Sequence, residues 1–120
     1  MSKIQIKRVY DDPAGDDGFR IYVDRLWPRG ESKETFHYDV WAKDVAPSTE
    51  LREWFHADPD ARWDEFRERY TDELARSEAA RSLSEIVGEH SEVTLLYSSR
   101  DREHNNAAVL AEYLRGNLRT

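Results

Sequence analysis

Polar and aromatic side chains with the capacity for ligand chemistry follow three β-prone segments of this sequence. Arginine binds carboxylates and phosphates through paired hydrogen bonds, and hydroxyl, phenol and indole groups supply further donors. In open, largely parallel α/β sheets, ligands bind beyond the carboxyl ends of the strands. If the strands here are parallel, these ends bring together Arg8, Tyr10, Asp11, Asp24, Arg25, Trp27, Arg29, Ser98, Ser99 and Arg100.

The segment after the third β-prone run gives a second reason to expect an anion site. We predict that it leads into a helix whose first turn covers Asp101 to His104. Such a turn presents free backbone N–H groups and the positive end of the helix dipole to a ligand. Asn105 lies in the same region and completes the predicted ligand-binding set. The sequence therefore predicts a site for a small anionic ligand, such as a phosphate or a carboxylate.

Two of these side chains are candidate catalytic residues for proton transfer. Histidine side chains exchange protons near neutral pH, which makes His104 a candidate proton-transfer group. Asp24 is a potential base, and the Ser98-Ser99 pair offers a hydroxyl acceptor. A serine with a histidine is a weak pattern, because no Gly-x-Ser-x-Gly elbow precedes it. The alternatives are a surface or capping role for His104 and an ion pair between Asp24 and Arg25 or Arg29 that fixes the loop.

The composition excludes several kinds of chemistry. The chain contains no cysteine, so it has no disulfide framework, no thiolate zinc site and no thiol nucleophile. His37, His56 and His90 are scattered singly, which does not predict a metal site. The five glycines form neither a dinucleotide-binding motif nor a P-loop. We therefore expect no metal and no cofactor.

The chain is acidic, with 25 Asp and Glu against 18 Lys and Arg and a net charge of -7. Most acidic residues lie between residues 31 and 90, which indicates a solvated helical surface. This charge disfavours binding along a nucleic-acid backbone, although a local arginine cluster can still hold one anionic group. No apolar stretch approaches the roughly 20 residues of a membrane span, and the N-terminus lacks the apolar core of a signal peptide. We expect a cytoplasmic protein without membrane contact.

Three strands and one short extended piece account for the β-prone composition. Alternating apolar residues predict a strand from Ile4 to about Tyr10, and Phe19 to Leu26 forms a second. The loop between them is short for a parallel connection, but a fully extended loop is long enough to join the strands in either orientation. Parallel and antiparallel arrangements therefore both remain open. A short extended piece is predicted at Thr35 to Trp41. The continuous β-prone run Val93 to Tyr97 predicts the centre of the sheet.

Four helices are predicted from capping residues and apolar periodicity. Ser48 is a favourable N-cap for the first, and Asp58-Pro59 begins the second, which carries an apolar stripe from Trp63 to Leu74. The third ends at Gly88 and the last at Gly116. Strands and helices together predict one α/β domain over residues 1–120, three-layered, with a small, mostly parallel sheet flanked by helices.

The run Asp24 to Gly30, Asp-Arg-Leu-Trp-Pro-Arg-Gly, resembles the YeaO-like proteins, a family of small bacterial and archaeal proteins. Further blocks in the same order, including Trp41-Ala42-Lys43 and Glu103-His104-Asn105, extend the likeness over nearly the whole chain. The resemblance implies a compact α/β fold and leaves the function open, because the family has no established activity. A broader related group carries Cys-His-Arg where this chain has Asn105-Asn106-Ala107. If that group uses a thiol, this chain cannot do the same chemistry.

Two functions of different classes are compatible with these patterns. The first is a small-ligand domain, with catalysis left open, that binds an anion through the arginines of the predicted site. The second is a non-catalytic module that contacts protein or nucleic acid through Trp27-Pro28 and the excursion at residues 31–47. A concave pocket with convergent polar groups would favour the first, and a flat aromatic patch the second. The sequence leaves the oligomeric state open.

Overall fold

The computed structural model describes residues 2–117 and contains a sheet of four parallel strands. The strands are β1 (Lys3–Arg8), β2 (Phe19–Tyr22), β3 (Val40–Trp41) and β4 (Glu92–Tyr97), in the spatial order β1-β4-β2-β3. β1 and β2 are parallel, and they do not pair with each other because β4 lies between them. This arrangement decides the strand direction that the short connecting loop left open.

β4 lies inside the sheet, as its continuous β-prone run predicts. Val93 is opposite Ile4 on one side and Phe19 on the other. Leu95 and Leu96 are both fully buried, one toward each face of the sheet. Burial on both faces explains why this strand is apolar at successive positions instead of alternating.

Both β1 and β2 end earlier than their composition predicts. β1 ends at Arg8 instead of near Tyr10, and β2 ends at Tyr22 instead of Leu26. The N–H of Val23 still donates to a carbonyl of β4, at 3.0 Å. After Val23, side chains instead of a neighbouring strand bind the backbone carbonyls of this segment. The β-ladder of β2 therefore ends there.

The extended piece predicted at Thr35 to Trp41 is also shorter in the structure. Its last two residues form β3, which pairs with β2. Upstream, the N–H of Phe36 donates to the carbonyl of Ser32 at 2.9 Å. This hydrogen bond folds the segment before β3 into a turn, which the β-prone composition did not indicate.

The helices are α1 (Thr49–Ala57), α2 (Pro59–Ala75), α3 (Glu78–Gly88) and α4 (Asn106–Asn117). The hydroxyl of Ser48 accepts a hydrogen bond from the N–H of Leu51 at 3.2 Å and caps α1, as predicted. α2 begins at Pro59, also as predicted, but the side chain of Asp58 makes no capping hydrogen bond. No helix among the described residues is long and apolar enough to cross a membrane.

The last helix starts later than the sequence predicts. We expected its first turn at Asp101 to His104, whereas α4 begins at Asn106 and continues past Gly116. The residues between β4 and α4 form irregular turns instead. The predicted anion site at the start of this helix therefore lacks the helical turn on which it depended.

The two faces of the sheet are covered differently. One face packs against all four helices in the main core, which includes Leu95 of β4 and Phe66 and Tyr70 of α2. On the other face, Leu96 belongs to a smaller aromatic cluster formed mainly by the segment between β2 and β3. The structure confirms the predicted fold class, a small α/β domain with a parallel sheet.

A buried ion pair also lies on the second face of the sheet. Asp17 and Arg20 are both buried, and their side chains contact each other directly. Lys7 Nζ lies 3.0 Å from the same carboxylate, and the N–H of Ala14 donates to it at 3.0 Å. Burial acts to raise the pKa of Asp17, but the hydrogen bonds from Ala14 and Lys7 outweigh it and hold that pKa below its usual value.

Candidate functional site

A cavity of about 800 Å³ lies at the carboxyl ends of β1, β2 and β4. Its walls also include residues of α1, of α2 and of the turns before α4. The cavity brings together ten of the ligand-binding and catalytic candidates from the sequence: Arg8, Tyr10, Asp24, Arg25, Trp27, Arg29, Ser98, Arg100, His104 and Asn105. The convergence follows from the parallel strands, whose carboxyl ends lie at one edge of the sheet.

Residues 23–31, which we call the arginine loop, are held by side chains at several points of their backbone. Carbonyls of this loop accept hydrogen bonds from the indoles of Trp27 and Trp41 and the phenols of Tyr10 and Tyr22, at 2.5–2.8 Å. The bond from Tyr10 reaches the carbonyl of Arg29 at 2.7 Å. The backbone that carries Arg25 and Arg29 is therefore fixed before any ligand arrives.

Five arginines line the cavity: Arg8, Arg25, Arg29, Arg52 and Arg100. Within residues 2–117, none of the five forms an ion pair with a carboxylate. Arg8 stacks over the ring of Tyr10 at 4.9 Å and donates through Nε to the carbonyl of Ser99 at 2.8 Å. The cavity therefore concentrates positive charge in a chain whose net charge is -7.

Among the described residues that line the cavity, Asp24 carries a carboxylate. Its Oδ2 accepts two hydrogen bonds from Ser98, one from the backbone N–H at 2.9 Å and one from the hydroxyl at 2.5 Å. The ion pair that we considered between Asp24 and Arg25 or Arg29 is not among the contacts of residues 2–117. Asp24 instead ties the start of the arginine loop to the end of β4.

His104 lies at the edge of the cavity, stacked on Trp63 with ring centroids 4.7 Å apart. Its backbone N–H and that of Glu103 both donate to Asp101 Oδ1 at 2.9 Å. The prediction of free N–H groups at this turn was therefore wrong, because a carboxylate of the chain already accepts from two of them. The arginines, not the turn before α4, supply the positive groups of the site.

Asn105 caps the last helix. It is buried, and its Oδ1 accepts a hydrogen bond from the N–H of Ala108 at 2.8 Å. Its amide group donates to the carbonyl of Asp101 at 3.0 Å. Both ends of the side chain are thus engaged within the chain, so Asn105 forms part of the cavity wall and holds α4 in place.

His104 and two nearby carboxylates, those of Asp60 and Asp101, offer atoms of the kind that coordinate a cation. One ligand atom each from Asp60, Asp101 and His104 lies within 4.8 Å of the others. Asp60 is 92% exposed, however, and its carboxylate lies 3.6 Å from His104 Nδ1. Structural metal sites hold their ligands by packing and further hydrogen bonds, which an exposed carboxylate lacks. The absence of a metal site stays a prediction.

Arg52 and His56 of α1 also line the cavity, and sequence reasoning missed both. They are four residues apart and therefore lie on one face of the helix. His56 is exposed, but partial desolvation by the surrounding residues lowers its pKa, and the charge of Arg52 lowers it further. The i, i+4 spacing was a usable signal, but which cavity a helix face lines depends on how the helix docks.

Trp27 and Pro28 do not form a flat exposed patch. Trp27 is half-buried and packs edge-on against Phe36, with ring centroids 5.4 Å apart. Pro28 is buried. The aromatic residues of this region face one another and the sheet, so the concave cavity is the more distinctive feature of this surface.

Comparisons with known proteins place the chain in a family. Residues 3–120 match the family described as "Inactive DUF488-N3 subclade". Uncharacterized protein Rv3073c of Mycobacterium tuberculosis is 45% identical over 115 residues, covering 96% of each chain. Uncharacterized protein YeaO of Escherichia coli is 46% identical over 112 residues, covering 93% of this chain and 96% of its own. No solved structure matches. The chain therefore belongs to the YeaO-like family, within the group described as the inactive DUF488-N3 subclade.

Proposed function

We propose that this protein binds a small anionic ligand in the cavity at the carboxyl ends of its strands. The observation that carries the proposal is the set of five arginines around a cavity of about 800 Å³. Pockets that bind small molecules fall in this range of volume and contain a few convergent polar groups. Guanidinium groups match the geometry of carboxylates and phosphates.

Electrostatics supports an anionic partner for this site. Like charges brought together repel one another, although solvent screens the four of these arginines that are exposed. A chain that gathers arginines without carboxylate partners bears this cost in its unliganded state. A bound anion offsets the repulsion, whereas the acidic surface elsewhere repels anions. We therefore expect binding at the cavity and not over the general surface.

The fixed backbone of the arginine loop supports the same proposal. Binding a ligand costs free energy when side chains and loops must be ordered. Here the carbonyls of residues 23–31 already accept hydrogen bonds from Tyr10, Tyr22, Trp27 and Trp41. The ordering cost is then largely confined to the arginine side chains.

Binding without turnover is the simplest form of this function. The family is described as inactive, and the chain has no cysteine for a thiol mechanism. Asp24 and His104 stay as secondary candidates for proton transfer, since both line the cavity. The non-catalytic interaction module is the rival proposal, and the partial burial of Trp27 and the burial of Pro28 give it less support.

A thermal-shift titration with inorganic phosphate and sulfate tests the proposal. In the parent protein, a ligand at 100 times its dissociation constant adds about 2.7 kcal/mol to the free energy of unfolding. We expect Arg29→Ala to abolish that gain and leave the unliganded melting temperature unchanged, because Arg29 is exposed. Arg81→Ala is the matched control, since Arg81 is a 70% exposed arginine of α3 outside the cavity. Equal stabilisation of the parent and Arg29→Ala would contradict the site.

A further inference from the structure

The large apolar side chains that are exposed in the described part of the chain lie at the cavity. Among residues 2–117, the large hydrophobic side chains that stay exposed are Leu26, at 63%, and Tyr10, at 41%. Both line the cavity, beside the arginines. Exposed apolar groups gathered at one concave site indicate contact with a ligand or a partner.

The positions of these two side chains are fixed by the backbone. The phenol of Tyr22 donates to the carbonyl of Leu26 at 2.5 Å, and that of Tyr10 donates to the carbonyl of Arg29 at 2.7 Å. These hydrogen bonds hold the backbone at Leu26 and the ring of Tyr10 beside the cavity. Deeper in the cavity, Phe55 and Phe66 are buried and extend the apolar wall. The site therefore joins a cationic part to an apolar part.

The size of the cavity points in the same direction. A volume of about 800 Å³ belongs to the range that holds drug-sized ligands. A bare oxyanion fills only a small part of it and leaves Leu26 and Tyr10 without contacts. An organic body attached to the anion fills the remainder and covers both side chains.

The number of arginines indicates the charge of the anionic group. Five arginines and one carboxylate are among the residues that line the cavity, so a single negative charge leaves most of the excess positive charge uncompensated. A phosphate ester carries a charge of about −1.5 to −2 near pH 7 and three strong acceptor oxygens. It suits several guanidinium forks better than a monocarboxylate does.

We infer that the ligand is an organic phosphate monoester whose apolar or aromatic body packs against Leu26 and Tyr10. This inference rests on the proposed function, because it names the ligand class of the same site. It assigns separate roles to the two parts of the cavity. The arginines bind the phosphate group, and Leu26 and Tyr10 select for the body attached to it.

Calorimetric titrations with four probes test the inference: phenyl phosphate, methyl phosphate, inorganic phosphate and phthalate. They are run at about pH 8, where the phosphate esters are dianions. In the parent protein, phenyl phosphate should bind about tenfold more tightly than methyl phosphate, because its ring covers apolar surface. Leu26→Ser should remove most of that preference and leave the affinity for methyl phosphate unchanged. Leu26→Met, which restores an apolar side chain, should retain it.

Each of the following results would contradict a particular part of the inference or of the proposed function. Equal affinities for phenyl and methyl phosphate would overturn the apolar part of the inference and leave anion binding intact. Tighter binding of phthalate would overturn the choice of phosphate. A preference for phenyl phosphate that survives Leu26→Ser would overturn the assignment to Leu26. Binding of none of the four probes would overturn the inference and the proposed function together.

Discussion

Ser98 and Asp24 join the ends of two neighbouring strands through one carboxylate oxygen. The backbone N–H and the hydroxyl of Ser98, directly after β4, donate to Asp24 Oδ2 at 2.9 Å and 2.5 Å. Asp24 lies two residues after β2 and begins the polar part of the arginine loop. The contact therefore fixes where the loop leaves the sheet, and it places a negative charge beside five arginines.

Two substitutions of Asp24 distinguish the effect of its charge on anion affinity from the effect of its hydrogen bonds on stability. In Asp24→Asn the amide oxygen can still accept from Ser98, but the charge is gone. We expect anion affinity to rise about fivefold, or about 1 kcal/mol, because a repulsive charge is removed. Asp24→Ala loses both hydrogen bonds and should lower the free energy of unfolding by about 1–3 kcal/mol. Calorimetry and urea denaturation measure the two effects.

Glu85→Gln is the control for the charge change, since Glu85 is an exposed carboxylate of α3 outside the cavity. It should leave anion affinity unchanged. Weaker anion binding by a folded Asp24→Asn protein would indicate that Asp24 itself contacts the ligand. That result would favour the secondary role of Asp24 in proton transfer.

His56 provides a spectroscopic reporter of anion binding. In the unliganded protein, partial desolvation and then the charge of Arg52 lower the pKa of His56. A bound anion stabilises the imidazolium form, so sulfate should raise this pKa. By linkage, sulfate binding should take up a proton and strengthen as the pH falls through the pKa of His56. Sulfate is the suitable probe because its own charge stays constant over this range.

Histidine NMR titrations with and without sulfate measure the change. His37 is exposed and does not line the cavity, so its titration should be the same in both samples. A His56 curve that sulfate leaves unmoved would place the bound anion away from α1. Equal shifts of both histidines would indicate a general salt effect.

Asp17 should contribute to stability at neutral pH and lose that contribution in acid. Its pKa in the folded protein lies below its usual value, so the stabilisation is present above about pH 4 and declines as the pH falls through the folded pKa. Asp17→Asn leaves the buried Arg20 without its carboxylate partner. We expect a loss of about 3 kcal/mol at pH 7. The difference from the parent should shrink below about pH 4.

Urea denaturation at several pH values tests this prediction. Asp16→Asn is the matched control, because Asp16 is the exposed neighbour of the buried Asp17. The control should match the parent throughout. A constant difference between Asp17→Asn and the parent down to pH 2 would show that the charge of Asp17 is not the stabilising factor.

Gly18 permits a close approach that a larger residue cannot. It has a φ of 65°, and a Cβ atom there would lie 2.2 Å from the carbonyl oxygen of Glu92. Gly18→Ala should therefore lower the free energy of unfolding by about 3 kcal/mol or more. Gly30 also has a positive φ, 83°, but nothing lies within 4 Å of its Cβ position. Gly30→Ala should cost only about 1 kcal/mol, and comparable losses in both variants would exclude the clash.

Much of the local structure was predictable because it depends on residues close together in the chain. The hydroxyl cap at Ser48, the proline start of α2 and the β-prone run of β4 each follow from a few neighbouring residues. The cavity candidates were also found, because each of the ten ends a strand, follows a strand or lies just before the last helix. Strand ends are a general position for ligand sites, so a local pattern sufficed to name them.

Other features were not predictable, either because they depend on contacts between separate segments or because two local structures compete. Asp17 lies in a turn-rich run that gives no sign of burial, and its burial follows from the docking of the loop against Arg20 and Lys7. Arg52 and His56 reached the cavity because α1 packs beside the arginine loop. The turn at Asp101 formed because its carboxylate accepts nearby N–H groups in place of a helical turn.

By itself the sequence determined the α/β class, most of the elements, the family resemblance and the residues that end the strands. Periodicity, capping and turn preferences depend on residues that are only a few positions apart, so they can be read directly from the sequence. The tertiary structure alone decided that β4 lies between β1 and β2 and that Arg52 of α1 joins the four predicted arginines in one cavity. Strand order and helix docking are set by the burial of apolar surface from the whole chain, which no single segment contains.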